Sequence, residues 1–265
     1  MESSKLKKYD DFIEAYNNLY HIQSDESVEE SFNLITTILI SKYQLDLYAL
    51  IMSLFVAVKC NYRSAKLYAK ILNQICAKYS ITSLPFKSLK TEALSVNLNI
   101  NSSDIIQFEL DTKRFPKENE IGFIIMHDKI DKFKTFVAEK SIKKIRISIP
   151  CHFEMLSIEA CCYYGSVNIF SFLVSSMNIP ISEKCLELAF IGGNTDIINE
   201  CMKSRKVDYN CYYNIIQSHN DSFLDFVFER NLFEPKNINS KTLIQSQNLK
   251  FVFLQFKKNK NSIIP

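Results

Sequence analysis

The chain has only 4 glycines and 6 prolines among 265 residues, too few for the many tight turns that β-sandwiches and barrels need. Helices are therefore expected. No apolar run reaches the eighteen or more residues of a membrane-crossing helix; the longest, Leu47 to Val58, falls well short. The opening segment MESSKLKKYDDF has no apolar stretch behind its lysines, so no secretory leader is expected and a cytoplasmic or nuclear location follows. None of the eight cysteines stands in a C-x-x-C pair, and most sit where helices take small apolar side chains, so reduced core thiols are expected. The strings G-x-G-x-x-G, G-x-x-x-x-G-K, H-E-x-x-H and G-x-S-x-G are all missing, and four glycines cannot build a phosphate-cradling loop. Neither an enzyme nor a cofactor is expected.

What is present fits a globular helical protein. Apolar residues make up 47% and charged residues 23% of the chain, and a chain of this size buries roughly 70 to 75 per cent of its unfolded surface without needing disulfides. A net charge of +3 is too small to imply a nucleic-acid or membrane partner. From Lys5 to about Tyr79 the apolar residues recur at helical spacing, as in Phe12, Ile13, Tyr16, Leu19 and Tyr20, then Phe32, Ile35, Leu39 and Ile40, then Leu47 onward. Ser24 or Asp25 caps the second of these helices, whose first turn carries Glu29 and Glu30. A loop begun near Ser80 and Pro85 ends the third. Residues 91–113 mix alternation (Leu94, Val96, Leu98, Ile100) with asparagines and read either as a short helix or as an irregular connector.

After Pro116 the chain repeats itself. IEACCYYGSVNIFSFLV from Ile158 and LELAFIGGNTDIINECM from Leu186 carry the same string of positions, with glycine at the eighth place of each. Units start at Ile121, Ile158, Leu186, Tyr213 and Lys241, at spacings of 37, 28, 27 and 28 residues. Each reads as two short helices, with places one, four and five facing the stack from the first and places near twelve, thirteen and sixteen from the second. The eighth place holds Asp128, Gly165, Gly193, Asn220 and Asn248, all residue types that accept a left-handed helix terminus. Repeats of this period predict an all-α helical solenoid, its repeats at 116–265 preceded by an N-terminal helical region at 1–115.

At these residues the chain resembles an ankyrin-repeat protein. The pattern T-P-L-H-x-A-A-x-x-G-H-x-x-I-V-x-x-L-L falls onto Leu186, Glu187, Ala189, Phe190, Gly193, Asn194, Ile197, Ile198, Cys201 and Met202, and likewise onto Ile158 through Val174. Lys184 and Cys185 replace the opening Thr-Pro, and Glu159, Glu187 or Asn214 replaces the histidine that ties successive repeats together. Typical repeats are 33 residues long, so these shorter units should lack most of the projecting hairpin. With the segment AVKCNYRSAKLYAKILNQICAKY, from Ala57 to Tyr79, the chain resembles an uncharacterised family of degenerate ankyrin-like proteins found expanded in some unicellular eukaryotes. The resemblance implies a scaffold for protein–protein interaction and brings no catalytic residues.

Several constellations are weighed on their own residues. Cys151 and His152 with Cys161 and Cys162 offer zinc-like ligands, but Cys161 and Cys162 occupy small-residue places and should point into the stack. His127 and His219 fall at place seven, where a histidine bonds a terminal carbonyl near the surface. Lys140, Lys143, Lys144 and Arg146 form one basic run; Lys250, Lys257, Lys258 and Lys260 form another, of the kind that keeps a last repeat soluble. Partner contacts are expected from the exposed side of the first helices: Glu159, Tyr163 and Tyr164, then Glu187 and Ile191, then Asn214, Ser218 and His219. The partner is another protein, with no small-molecule substrate and no nucleic acid or membrane. The alternatives are an adaptor whose N-terminal helices recruit machinery such as a ubiquitin ligase, and a basic nucleic-acid or membrane-surface binder.

Overall fold

The computed structural model describes residues 7–84, 87–102, 104–140, 142, 145–150, 152, 154–232 and 246–258. It is mostly helical. The first half opens with α1 (Asp10–Tyr20), which buries Ala15, Tyr16, Leu19 and Tyr20 on one stripe. Ser24 caps α2 (Asp25–Leu34): its hydroxyl accepts from the Ser27 N–H while the Ser27 hydroxyl accepts from the Ser24 N–H. The run Ile35–Lys42 then winds as a π-helix. Hydroxyls of Thr36 and Thr37 bond the Asn33 carbonyl, and that of Ser41 the Thr36 carbonyl, side-chain bonds that loosen the regular ladder. Asp46 caps α3 (Leu47–Cys60), a 3₁₀ turn at Tyr62–Ser64 follows, and α4 (Ala65–Lys78) buries Tyr68, Ile71, Leu72 and Ile75 at helical spacing.

Of residues 91–113, the first five end a short helix, one of the two expected forms, but most of the rest is neither helix nor irregular connector. After α5 (Lys87–Ser95), an antiparallel hairpin pairs β1 (Leu98–Ser102) with β2 (Ile106–Leu110), placing Ile100 opposite Phe108. The hairpin is fastened to α4 by the Asn73 amide, which donates to the Phe108 carbonyl and accepts its N–H.

The second half is a run of helix pairs: α6 (Ile121–Met126) with α7 (Ile130–Glu139), α8 (Ser157–Tyr164) with α9 (Val167–Ser175), α10 (Lys184–Gly192) with α11 (Thr195–Met202), and α12 (Tyr209–Gln217) with α13 (Asp221–Glu229). A last helix, α14 (Leu249–Lys258), lies against α13. A two-residue bridge, β3 (Arg146–Ile147) with β4 (Met155–Leu156), leads into α8. The first helices pack side by side in the order α6, α8, α10, α12, and α7, α9 and α11 form a second row. Apolar packing runs as one core from Ala15 to Phe251, through both halves.

In the first three pairs the left-handed residue between helices is Asp128, Gly165 and Gly193, with φ of 49°, 69° and 72°. In the next two it falls one place earlier than the sequence alignment put it. His219 and Gln247 have φ of 52°, while Asn220 and Asn248 follow them as N-terminal residues of the next helix, Asn248 Oδ1 accepting from the Phe251 N–H. The fourth unit therefore starts at Tyr212, not Tyr213. Tyr212, Ile215 and Ile216 are buried at places one, four and five, while Tyr213 is exposed. Lys241, the expected start of the fifth unit, lies outside the described residues.

Each pair is tied to the one before it at the turn. The Ser166 hydroxyl donates to the Ile125 carbonyl at 2.5 Å, the Asn220 amide to Phe190 at 2.5 Å and the Asn248 amide to Ile216 at 3.2 Å; each acceptor is at place five of the preceding unit. Asp128 instead reaches forward, capping the N–H groups of Asn168 and Ile169. Between α8 and α10 the tie is a direct approach of backbones. A Cβ on Gly192 would overlap the Cys162 carbonyl oxygen and stand 2.7 Å from the Gly165 nitrogen and 2.9 Å from the Tyr163 oxygen.

Gly192→Ala should therefore destabilise the fold by at least about 1–3 kcal/mol, as overpacking does, read as a lower Tm in a reversible melt. Gly122→Ala is the control, since its added Cβ would meet only side-chain carbons at 3.5 Å or more. Removing a helical glycine there should leave Tm unchanged or raise it.

Candidate functional site

The inner side of the first helices is the surface from which partner contacts were expected, and most of it is covered by the chain's own N-terminal half. Tyr163 and Tyr164 are only 2% and 8% exposed. The Tyr163 hydroxyl donates to the Lys59 carbonyl at 2.6 Å and accepts from the Tyr62 N–H at 3.3 Å. Arg63 donates to the Tyr164 carbonyl at 2.7 Å, closing the C-terminal end of α8. Tyr163 and Tyr164 are therefore packing residues, not partner anchors.

Farther along, α1 seats on the fourth unit. The His219 ring lies on those of Tyr20 and Tyr16, with centroids 4.1 and 5.3 Å away, and its Nε2 bonds the Ser246 carbonyl at 2.8 Å. His219 thus bonds a carbonyl as expected, but only 3% of it is exposed, where a surface position was expected. Asn17 donates to Asp221, His21 bonds Asn220, and the Cys60 thiol donates to the Gln217 carbonyl. Ser218 is buried in the same seam. Glu159 is buried too: its carboxylate accepts from the Leu156 N–H and the Ser182 hydroxyl, bracing α8 and the approach to α10. Ile191, half-buried, lines a 260 Å³ polar cleft where α10 meets the N-terminal half.

Glu187 and Asn214 have a different setting. They line an open groove of about 490 Å³ between α10 and α12, together with His152, Lys184, Asn210 and Tyr213. Asn214 donates to the Glu187 carbonyl at 3.0 Å and so fixes the spacing of the two helices. Burial raises the pKa of Glu187, offset in part by the Asn210 amide that bonds its carboxylate. At the groove's edge Tyr209 and Tyr213 are 46% and 38% exposed and stack on each other at 6.5 Å. The sequence alignment missed these two, because starting the unit at Tyr213 sent that ring into the core. Gln217, polar at place five in that register, was the signal that could have corrected it.

The cysteine cluster is inert packing. Cys161 and Cys162 are fully buried, and burial raises both thiols well above their ordinary pKa. Cys151 lies outside the described residues, and His152 instead contacts the Lys59 carbonyl and the Tyr163 ring. Among the described residues no group of three or more His, Cys, Asp or Glu is placed to hold a metal ion. His127 sits at the C-terminal cap of α6 with its ring on Phe123. Of the basic runs, Lys140 lies over the Phe136 ring and Lys250 pairs with Asp225 at 2.6 Å; Lys143, Lys144 and Lys260 are outside the described residues. No helix among the described residues is long and apolar enough to cross a membrane.

With this geometry in hand, comparison with known proteins adds one finding. Residues 177–255 match the family model of a domain of unknown function, DUF3447. That domain is found in ankyrin-repeat-associated proteins. The match takes in the α10–α11 and α12–α13 pairs, the turn at His219 and the groove apart from His152 and Met155. No curated protein and no solved structure matches the chain.

The His219 seam makes a pH prediction. Burial lowers its pKa from 6.5 to about 4, so between those values the unfolded chain binds a proton that the folded chain excludes. Stability present above pH 6.5 should decline as pH falls toward 4, by roughly 3 kcal/mol from this residue alone. His219→Gln keeps a donor for the Ser246 carbonyl but does not titrate. Urea unfolding at pH 7 and pH 5 should show a smaller pH loss for the variant than for the native chain; equal losses would contradict the assignment.

Proposed function

We propose that the chain is a non-catalytic protein-interaction scaffold, built as a short-repeat ankyrin-like solenoid whose inner face is shared between its own N-terminal helices and an outside partner. The observation that carries this reading is the recurring tie from place nine of one unit to place five of the last. Ser166, Asn220 and Asn248 each make it, holding successive helix pairs in register. Proteins stacked in this way present extended rigid surfaces suited to binding. The family match over residues 177–255 supports the same reading.

The surface left for a partner is the α10–α12 groove and the stacked tyrosines beside it. Exposed tyrosines supply large contact area at low entropy cost. An adaptor with a free N-terminal effector end is the weaker reading, because Lys59, Tyr62 and Arg63 are engaged on α8 and α1 on the His219 turn. A basic-surface binder has less behind it: of the two basic runs, Lys250 is held by Asp225 and Lys140 lies over the Phe136 ring.

Affinity purification of the full chain from its native cell, followed by calorimetry with the recovered protein made recombinantly, tests this. The Tyr209→Ala/Tyr213→Ala pair should bind that protein at least tenfold more weakly with an unchanged melt, about 1.4 kcal/mol. Tyr163→Ala should instead lose roughly 3–5 kcal/mol of stability, so weakened binding by that variant would report folding, not contact. Unchanged binding by the surface pair would remove the groove as the site.

A further inference from the structure

Glu187 is the feature of the groove that internal packing does not explain. Its carboxylate is half-buried, its hydrogen-bond partner is the Asn210 amide, and it has no ion pair among the described residues. Two further carboxylates lie close to it, Asp208 and Glu159. Both are committed: Asp208 caps α12 through the Cys211 N–H at 2.9 Å, and Glu159 is bound by Leu156 and Ser182. Of the nearby cations, Lys184 attracts it without forming an ion pair. Lys184 is exposed at the rim, Lys59 is paired with Glu92, and burial keeps His152 in its neutral form. The groove therefore presents a half-buried carboxylate whose charged neighbours are two carboxylates, Asp208 and Glu159, and one lysine, Lys184, with the Tyr213 ring as a wall.

We propose that this groove is a subsite for a lysine or arginine side chain of the protein partner, its cation held by the Glu187 carboxylate and covered by the Tyr213 ring. The proposal rests on the reading of the chain as an interaction module and names the partner's chemistry. Three physical terms converge on a cation. A partly desolvated carboxylate gains more from an ion pair than an exposed one does. A tyrosine face attracts an ammonium or guanidinium group within about 6 Å. The pocket volume lies in the range that encloses a small ligand, and the walls are fixed in advance by the Asn214 bond to the Glu187 carbonyl.

The test pans a phage-displayed library of nine-residue peptides against the native full-length chain and titrates the enriched peptides, fluorescein-labelled, by anisotropy. Enriched sequences should share a lysine or arginine. Replacing it with acetyl-lysine or citrulline should weaken binding tenfold or more, and Glu187→Gln should do the same. The two losses should not add, because against the neutral peptide there is no ion pair left for Glu187→Gln to break. Tyr213→Ala should weaken both peptides, and melts confirm that the variants fold. Peptides without a cation that bind natively and are lost on Tyr213→Ala would overturn the cation subsite while leaving the interaction surface standing. Peptides that bind both variants as well as the native chain, or no enrichment over bare support, would overturn the groove as a binding surface.

Discussion

The backbone approach of α10 to α8 is the constraint from which the second half of the molecule is built. With no Cβ on Gly192, the last turn of α10 rests against the carbonyl end of α8. Gly165 turns out of α8 in the left-handed region, and a Cβ there would stand 2.8 Å from the Gly192 oxygen, so glycine suits the position on both counts. Once those helices are spaced, the next pair is fixed by side chains, since Asn220 spans to Phe190 and Asn214 to Glu187. Spacing is thus set by backbone contact at one joint and by amide bonds at the following ones.

The same spacing prepares a seat for the N-terminal half. The carbonyls of Tyr164 and Gln217, at the C-terminal ends of α8 and α12, are met by the Arg63 guanidinium and the Cys60 thiol. Such terminal carbonyls have no partner within their own helix, so a segment that supplies donors is stabilised there. The seam mixes these bonds with the tyrosine and histidine rings of α1 and the fourth unit. Its polar character matches contacts between domains more closely than a domain interior, although one apolar core runs beneath it.

Local features were readable in the sequence; features that depend on residues a hundred places apart were not. Gly165 and Gly193 reported their left-handed turns directly, because glycine there has no competing explanation. Asparagine misled, because it suits both a left-handed terminus and an N-cap; Asn220 and Asn248 take the second role and pass the strained backbone to His219 and Gln247. The β1–β2 hairpin was hidden by its length and by asparagines that β propensity disfavours; Asn73 of α4 stabilises it from outside the segment. Tyr163 and Tyr164 were read as exposed because helical periodicity identifies one buried face. Their second covering comes from Lys59, Tyr62 and Arg63, whose approach no pattern within a repeat encodes.

A face half covered by its own chain changes how the uncovered half can bind. Helix α12 is held from one side by the Asn214 bond to α10 and from another by the Cys60 thiol on the Gln217 carbonyl. The groove walls are consequently ordered before any partner arrives, and stacking of Tyr209 on Tyr213 restricts the two rings most exposed to contact. Ordering costs that normally oppose association are already met within the fold. On the proposed reading, a single cationic side chain entering the groove has a large differential effect, because the walls are held in place and Glu187 has no ion pair among the described residues. Selectivity on that reading follows from rigidity and one half-buried carboxylate rather than from contact area.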